Sequence, residues 1–174
     1  MTDAFPAALD EVLTHEGGFS NNPADPGGMT CMGVTKRAWE HFVGRPVSEM
    51  EMRSLTREQV APLYRKAYWN ACCCDQLPGG LALCVFDFAV NAGPGRAVRF
   101  LQRVVGATQD GVCGSMTLGR VAAFVEAHGQ EAAIKAYQDA RRDYYRSLST
   151  FAVFGRGWLR RCDEVQAVAE GLVR

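Results

Sequence analysis

Apolar residues recur along most of this chain at three- and four-residue intervals and hardly ever alternate, so the pattern predicts a mainly α fold. Phe5, Leu9, Val12 and Leu13 fall on one face of a first helix, in which Pro6 suits an early position and which Gly17 and Gly18 end. Residues 19–34 carry Asn, Pro, Asp and Gly in quick succession, which predicts a folded loop or a small β-hairpin. Thr35 then stands where it can cap a short helix running through Trp39 and Phe42 to Gly44. In "TREQVAPLYRKAYW" Thr56 and Gln59 form a capping box, and Val60, Leu63 and Tyr64 continue an apolar face.

The stretch "GLALCVFDFAVNAG" is apolar almost all round and too short to span a bilayer, which predicts a helix buried at the centre of a domain. Asp87 and Asn91 alone interrupt it. Beyond "GPGR" the pattern predicts an amphipathic segment to Val105, a turn at "DGVCG", and helices from about Ser115 to Ala127 and from about Gln130 to Ser147. A last helix is expected from Trp158 through Leu172. The candidate internal boundary is "NAGPGR", dividing residues 1–92 from 93–174, and the two halves are expected to pack as one compact unit.

Length and composition fit this picture. A chain of 174 residues, 48% of them apolar, can bury one hydrophobic core. Its 19 basic residues balance 19 acidic ones, so no overall attraction to nucleic acid is expected. No run approaches the ~18 apolar residues of a membrane span, and no membrane insertion is expected. "MTDAFPAALDEVL" lacks the basic segment and apolar run of a secretory signal, so synthesis in the cytoplasm without a signal peptide is expected. The seven cysteines are odd in number and three are adjacent at Cys72, Cys73 and Cys74, a spacing that suits buried or free thiols better than disulfides. His15, His41 and His128 are scattered, and no metal site is expected.

Two acids stand out. Cleavage of a glycosidic bond needs a proton for the leaving oxygen and, on the sugar's other side, negative charge or an activated water, which a pair of carboxyl groups can supply. Glu16 closes the first helix, where the partial negative charge of the helix end and burial against Phe19 would both favour a protonated general acid. Asp25, in a turn with Pro26, Gly27 and Gly28, suits an ionised base or a stabiliser of positive charge. Thr30 and Thr35 could hold the attacking water, or cap a helix. On residue type alone each has a plain alternative, since acids near helix ends are commonly solvated and "DPGG" is a common turn.

The stretch "HEGGFSNNPADPGGMTCMGVT" resembles the signature of the glycoside hydrolase 108 family, muramidases of phage endolysins and of bacterial lysis or secretion-associated proteins. There a Glu-Gly-Gly-aromatic element precedes Asp-x-Gly-Gly-x-Thr and Gly-aliphatic-Thr. The resemblance extends through "YRKAYWNACCCDQLPGGLALCVFDFAVNAGPGRAVRFLQ" to "FGRGWLRRCDEV". It implies a lysozyme-like helical fold with a small β-hairpin or loop region near residues 17–35. It further implies hydrolysis of the β-1,4 bond between N-acetylmuramic acid and N-acetylglucosamine by Glu16, Asp25 and Thr30, with Phe19, Thr35 and Asn91 as candidate substrate contacts and no metal or other cofactor. Phe19 stands where a Tyr is common in such proteins, and Met32 where some carry an aromatic. The implied partner is peptidoglycan, reached at the cell wall after release through a holin-type or secretion pore, by a monomer. A non-catalytic peptidoglycan-binding or secretion-accessory protein on the same fold is the alternative.

"LQRVVGATQDGVCGSMTL" resembles the peptidoglycan-binding half that follows the catalytic half in this family; physically, its glycines allow a tight turn and Thr117 can support the next helix. Asp87 and Asn91 share a helix face and read either as cleft residues or as internal ties, the latter favoured for Asp87. "ARRDYYRSL" and "RGWLRR" interleave Arg141, Arg142, Arg146, Arg160 and Arg161 with aromatics, a pattern that could grip an acidic polymer but is more commonly a solvated face over a core. Tyr64, Tyr68 and Trp69 pose the same choice between sugar stacking and packing, with packing favoured.

Overall fold

Burial follows the helical period. Leu9 and Val12 on the first helix, α1 (Phe5–His15), are fully buried, each worth about 1.5–3 kcal/mol relative to exposure. The computed structural model describes residues 3–21 and 28–173. Among them are nine α-helices and one two-stranded antiparallel sheet.

The chain divides into two compact units, Pro6–Lys66 and Ala67–Arg174 with Met1–Phe5. In the smaller one, α1 is followed by strands β1 (Thr30–Cys31) and β2 (Val34–Thr35) and helices α2 (Lys36–Val43), α3 (Glu49–Arg53) and α4 (Arg57–Tyr64). Thr35 caps α2 by accepting from the Ala38 N–H, and Gly44 ends it in a left-handed conformation. The Thr56–Gln59 box that starts α4 is present as expected. Helix α3 was not legible as a period because it is five residues long; its start, Ser48 with Glu51, is a second capping box. Met52 and Val60 are fully buried beside Leu63 and Tyr64.

The larger unit is built around the apolar helix α5 (Gly79–Ala92), with α6 (Pro94–Val105), α8 (Gln130–Ser147) and α9 (Phe151–Gly171) packed on it and α7 (Ser115–His128) against α6 and α8. A π-helical turn, Arg65–Trp69, and two 3-10 turns around left-handed Cys73 lead into α5. Phe5, Trp69 and Phe86 meet edge to face, with centroids 5.3–5.8 Å apart. Backbones approach closely at Gly80, where a methyl would lie 2.4 Å from the Ala169 carbonyl oxygen.

The last helix begins at Phe151, well before the Trp158 expected from the pattern. Gly155 serves packing in its first turns: a methyl there would stand 2.3 Å from the Phe151 ring, which lies over it. All seven cysteines are free thiols, with Cys73 and Cys113 the two that are not buried.

Candidate active site

Glu16 directly follows α1 and is half-buried. The hairpin comes up beside it. Thr30 pairs with Thr35 and Cys31 with Val34, leaving Met32 and Gly33 as a two-residue turn in which both φ angles are positive, +49° and +72°. That is the requirement of a type I′ connection, whose twist matches the strands.

Two observations show why Gly33 fits this position. Its left-handed φ is cheap for glycine. A methyl on it would also stand 2.7 Å from Glu16 Oε2, 3.1 Å from Glu16 Cγ and 2.7 Å from the Tyr64 hydroxyl. The carboxyl and the phenol thus converge on one bare patch of backbone. Tyr64, 1% exposed, donates its hydroxyl proton to the Met32 carbonyl at 2.7 Å, which ties α4 to the turn and supports the left-handed Met32. Sequence reasoning weighed Tyr64 for packing or stacking only and did not single out Gly33 in this role. The signal for Gly33 was present in "CMGVT", since a glycine between two short β-prone runs marks a tight turn.

A second strap fixes the segment after Glu16. Ser20 and Thr30 exchange two backbone hydrogen bonds of 2.8 Å, and Lys36 N donates to the Met29 carbonyl at 2.8 Å. Thr30, half-buried in β1, therefore lies between Ser20 and Thr35. Asp25 lies outside the described residues. Thr35 ends β2, and its hydroxyl oxygen is engaged as the α2 cap, 3.1 Å from Ala38 N. The Phe19 ring is half-buried, with the Arg53 guanidinium 4.0 Å from its centroid, so one ring face is already covered by a cation. Glu49 holds that guanidinium in turn through bonds of 2.6 and 2.9 Å.

Asn91 belongs to the larger unit, where its side-chain oxygen accepts the Tyr145 hydroxyl at 2.5 Å. That hydroxyl also accepts from Arg141 Nε at 3.1 Å. Asp87 completes the network. It is wholly buried, with Oδ2 2.6 Å from Arg141 Nη1 and Oδ1 2.7 Å from Arg161 Nη2. Burial alone would raise its pKa, but the two guanidiniums more than offset that and hold it below the usual carboxylate range. Asp87 is thus an internal tie.

The basic runs are likewise engaged within the protein. Arg142 donates to Asp163 and Gln166 at 2.7 and 2.8 Å, Arg146 pairs with Asp143 at 3.0 Å, and Arg160 with Glu164 at 3.8 Å. Trp158 stacks on buried Tyr145. In these stretches the arginines pair with acids of the same unit and Tyr145 lies in its core. Among the described residues no group of three His, Cys, Asp or Glu is arranged to hold a metal, and no helix is long and apolar enough to cross a membrane.

Comparison with known proteins gives this geometry a context. The family model Glycosyl hydrolase 108 matches residues 9–93, and the model Predicted Peptidoglycan domain matches residues 96–163. A solved structure of Brucella abortus SagA is similar, with 39% sequence identity and a TM-score of 0.83 over 98% of this chain and 95% of that one. No curated protein matches.

Proposed function

This chain belongs to the glycosyl hydrolase 108 family and carries a peptidoglycan-binding domain, and from that premise we propose that it is a muramidase. The bond it hydrolyses is the β-1,4 linkage between N-acetylmuramic acid and N-acetylglucosamine of peptidoglycan, in the manner of an endolysin. Glu16 acts as the general acid that protonates the departing glycosidic oxygen. Asp25, with Thr30, orients the attacking water or stabilises the positive charge that develops on the sugar. The site of action is the cell wall, reached after release from the cytoplasm through a holin-type or secretion pore.

The observation that carries this reading is the setting of the Glu16 carboxylate, which lies against Gly33 with the Tyr64 phenol beside it, within the stretch matched by the hydrolase family model. A surface acid would have no need of a side-chain-free neighbour. An acid that must deliver a proton along one direction gains from fixed surroundings.

The test is mass spectrometry of muropeptides after purified peptidoglycan is incubated with the native protein and with Glu16→Gln. New reducing-end N-acetylmuramic acid is expected from the native protein, with a loss of about 10²–10⁴-fold in the variant. Sedimentation with the wall and no new reducing ends from either protein would leave a binding module and remove the enzyme.

A further inference from the structure

The larger unit holds a cavity of about 410 Å³ that none of the catalytic chemistry above uses. Its wall is the "DGVCG" turn and the start of α7, and it is built on one buried side chain. Gln102, 1% exposed, shares its two amide hydrogens among Asp110 Oδ1 at 2.7 Å, the Val112 carbonyl at 3.0 Å and the Thr117 hydroxyl at 3.0 Å, and it accepts from Gly111 N at 2.9 Å. A single amide thereby fixes both the turn and the first turn of α7. Gly111, at φ +80°, seats the turn where a methyl would stand 2.9 Å from the Gly95 carbonyl oxygen. The cavity is therefore a formed feature, in the size range of small-ligand sites of roughly 300–1,000 Å³.

The lining pairs opposite charges with exposed apolar groups. Asp110 is kept ionised by the Val112 N–H and the Gln102 amide, which hold its carboxyl below the usual range. Arg120 lines the same cavity four residues after Met116, on the same face of α7, and is exposed, with no ion-pair partner among the described residues. Val112 and Met116 are 68% and 79% exposed, although they are large and apolar. A ligand that satisfies all of these needs a carboxylate, an ammonium group close to it, and a short methylene chain.

We propose that this cavity binds the free amino-acid end of the diaminopimelate arm of a peptidoglycan stem peptide. Arg120 takes the carboxylate, Asp110 takes the ammonium, and Val112 and Met116 cover the methylenes. The proposal rests on the reading of the chain as a peptidoglycan hydrolase and adds to it the part of the polymer that is held: peptide instead of sugar. A lysine arm carries an ammonium at that end without the carboxylate, and so lacks the group that Arg120 recognises.

The probe is the tripeptide L-Ala-γ-D-Glu-meso-diaminopimelate, titrated into the full ¹⁵N-labelled chain, with the L-lysine tripeptide as comparison. Saturable shifts at Val112, Ser115–Thr117 and Arg120 are expected, with binding at least about 10-fold tighter than for the lysine peptide, a difference of about 1.4 kcal/mol. Arg120→Ala, an exposed position whose folding is checked by an unchanged melting temperature, should lose about the same factor. Shifts that spare the cavity, equal affinity for the two peptides, or an Arg120→Ala variant that binds as well as the parent would each overturn the proposal. Wall digestion by the unaltered protein is measured in parallel. Digestion without tripeptide binding removes only the cavity's role, whereas binding without digestion keeps it and removes the hydrolase.

Discussion

Two carboxylic acids, one in each unit, show how differently one chain can treat the same functional group. Asp87 is sealed, with no exposure, two guanidiniums on its oxygens and a hydrogen-bonded Tyr145 attached to one of them. Glu16 is half-exposed and sits at a junction of helix end and turn, where two consecutive residues have left-handed backbones. Paired and buried, Asp87 binds three helices together and has no room for a substrate. Glu16 instead is only half-buried and lies where the left-handed turn and the Tyr64 phenol converge. The difference teaches that a strongly perturbed acid is not by itself a catalytic one, since tight ion pairing also perturbs.

Substitutions can break this contrast, and the largest effect is expected at the sealed acid. Asp87→Ala leaves Arg141 buried without its counter-charge and should cost about 3–5 kcal/mol in denaturant unfolding, while turnover measured where the variant is still folded stays near the parent's. The same pair fixes a pH dependence. Because Asp87 titrates lower in the folded protein than in the unfolded chain, its contribution is present above about pH 3.9 and is lost as pH falls through the folded value. The melting temperature should therefore decline on this account only below about pH 4, and Asp87→Asn should remove that part of the decline.

At the open acid the expected order is reversed, with activity affected more than stability. Gly33→Ala carries a left-handed cost of about 1–2 kcal/mol and pushes a methyl into Glu16 and Tyr64, so thermal melts should shift modestly while release of reducing ends falls by the larger factor. Tyr64→Phe removes the hydrogen bond to Met32 and should cost about 0.5–1.5 kcal/mol, with a partial loss of turnover. Smallest is Thr35→Ala, about 1 kcal/mol or less from the lost cap. A large loss of turnover in that variant would show that the hydroxyl does more than cap α2.

Much of the helical architecture was legible because periodicity and capping are local. The Thr56–Gln59 box, the Thr35 cap and the buried character of α5 could all be read within a few residues. Glu16 and Thr30 were singled out through the resemblance to the glycoside hydrolase 108 signature, which says nothing of their neighbours in the fold. Tyr64 reaches the Met32 carbonyl across 32 residues, and no periodicity in either segment announces that meeting. The start of α9 at Phe151 was not read because the contact that shapes its first turns, the Phe151 ring over Gly155, leaves no apolar period to mark it. Asn91, on the Asp87 face at the helix end, could be read as a substrate contact or as an internal tie, because its bond to Tyr145 depends on a helix far downstream.

The Asp87–Arg161 contact joins residues 74 apart in the chain. At about 5–20 residues per second, the ribosome adds Arg161 roughly 4–15 s after Asp87. For the first 54 residues of that stretch the buried helix carries a charge with neither guanidinium yet made, and for the remaining 20 it has Arg141 alone. The larger unit therefore cannot close its core progressively during translation, and its consolidation is a late, concerted event that waits for the final helix.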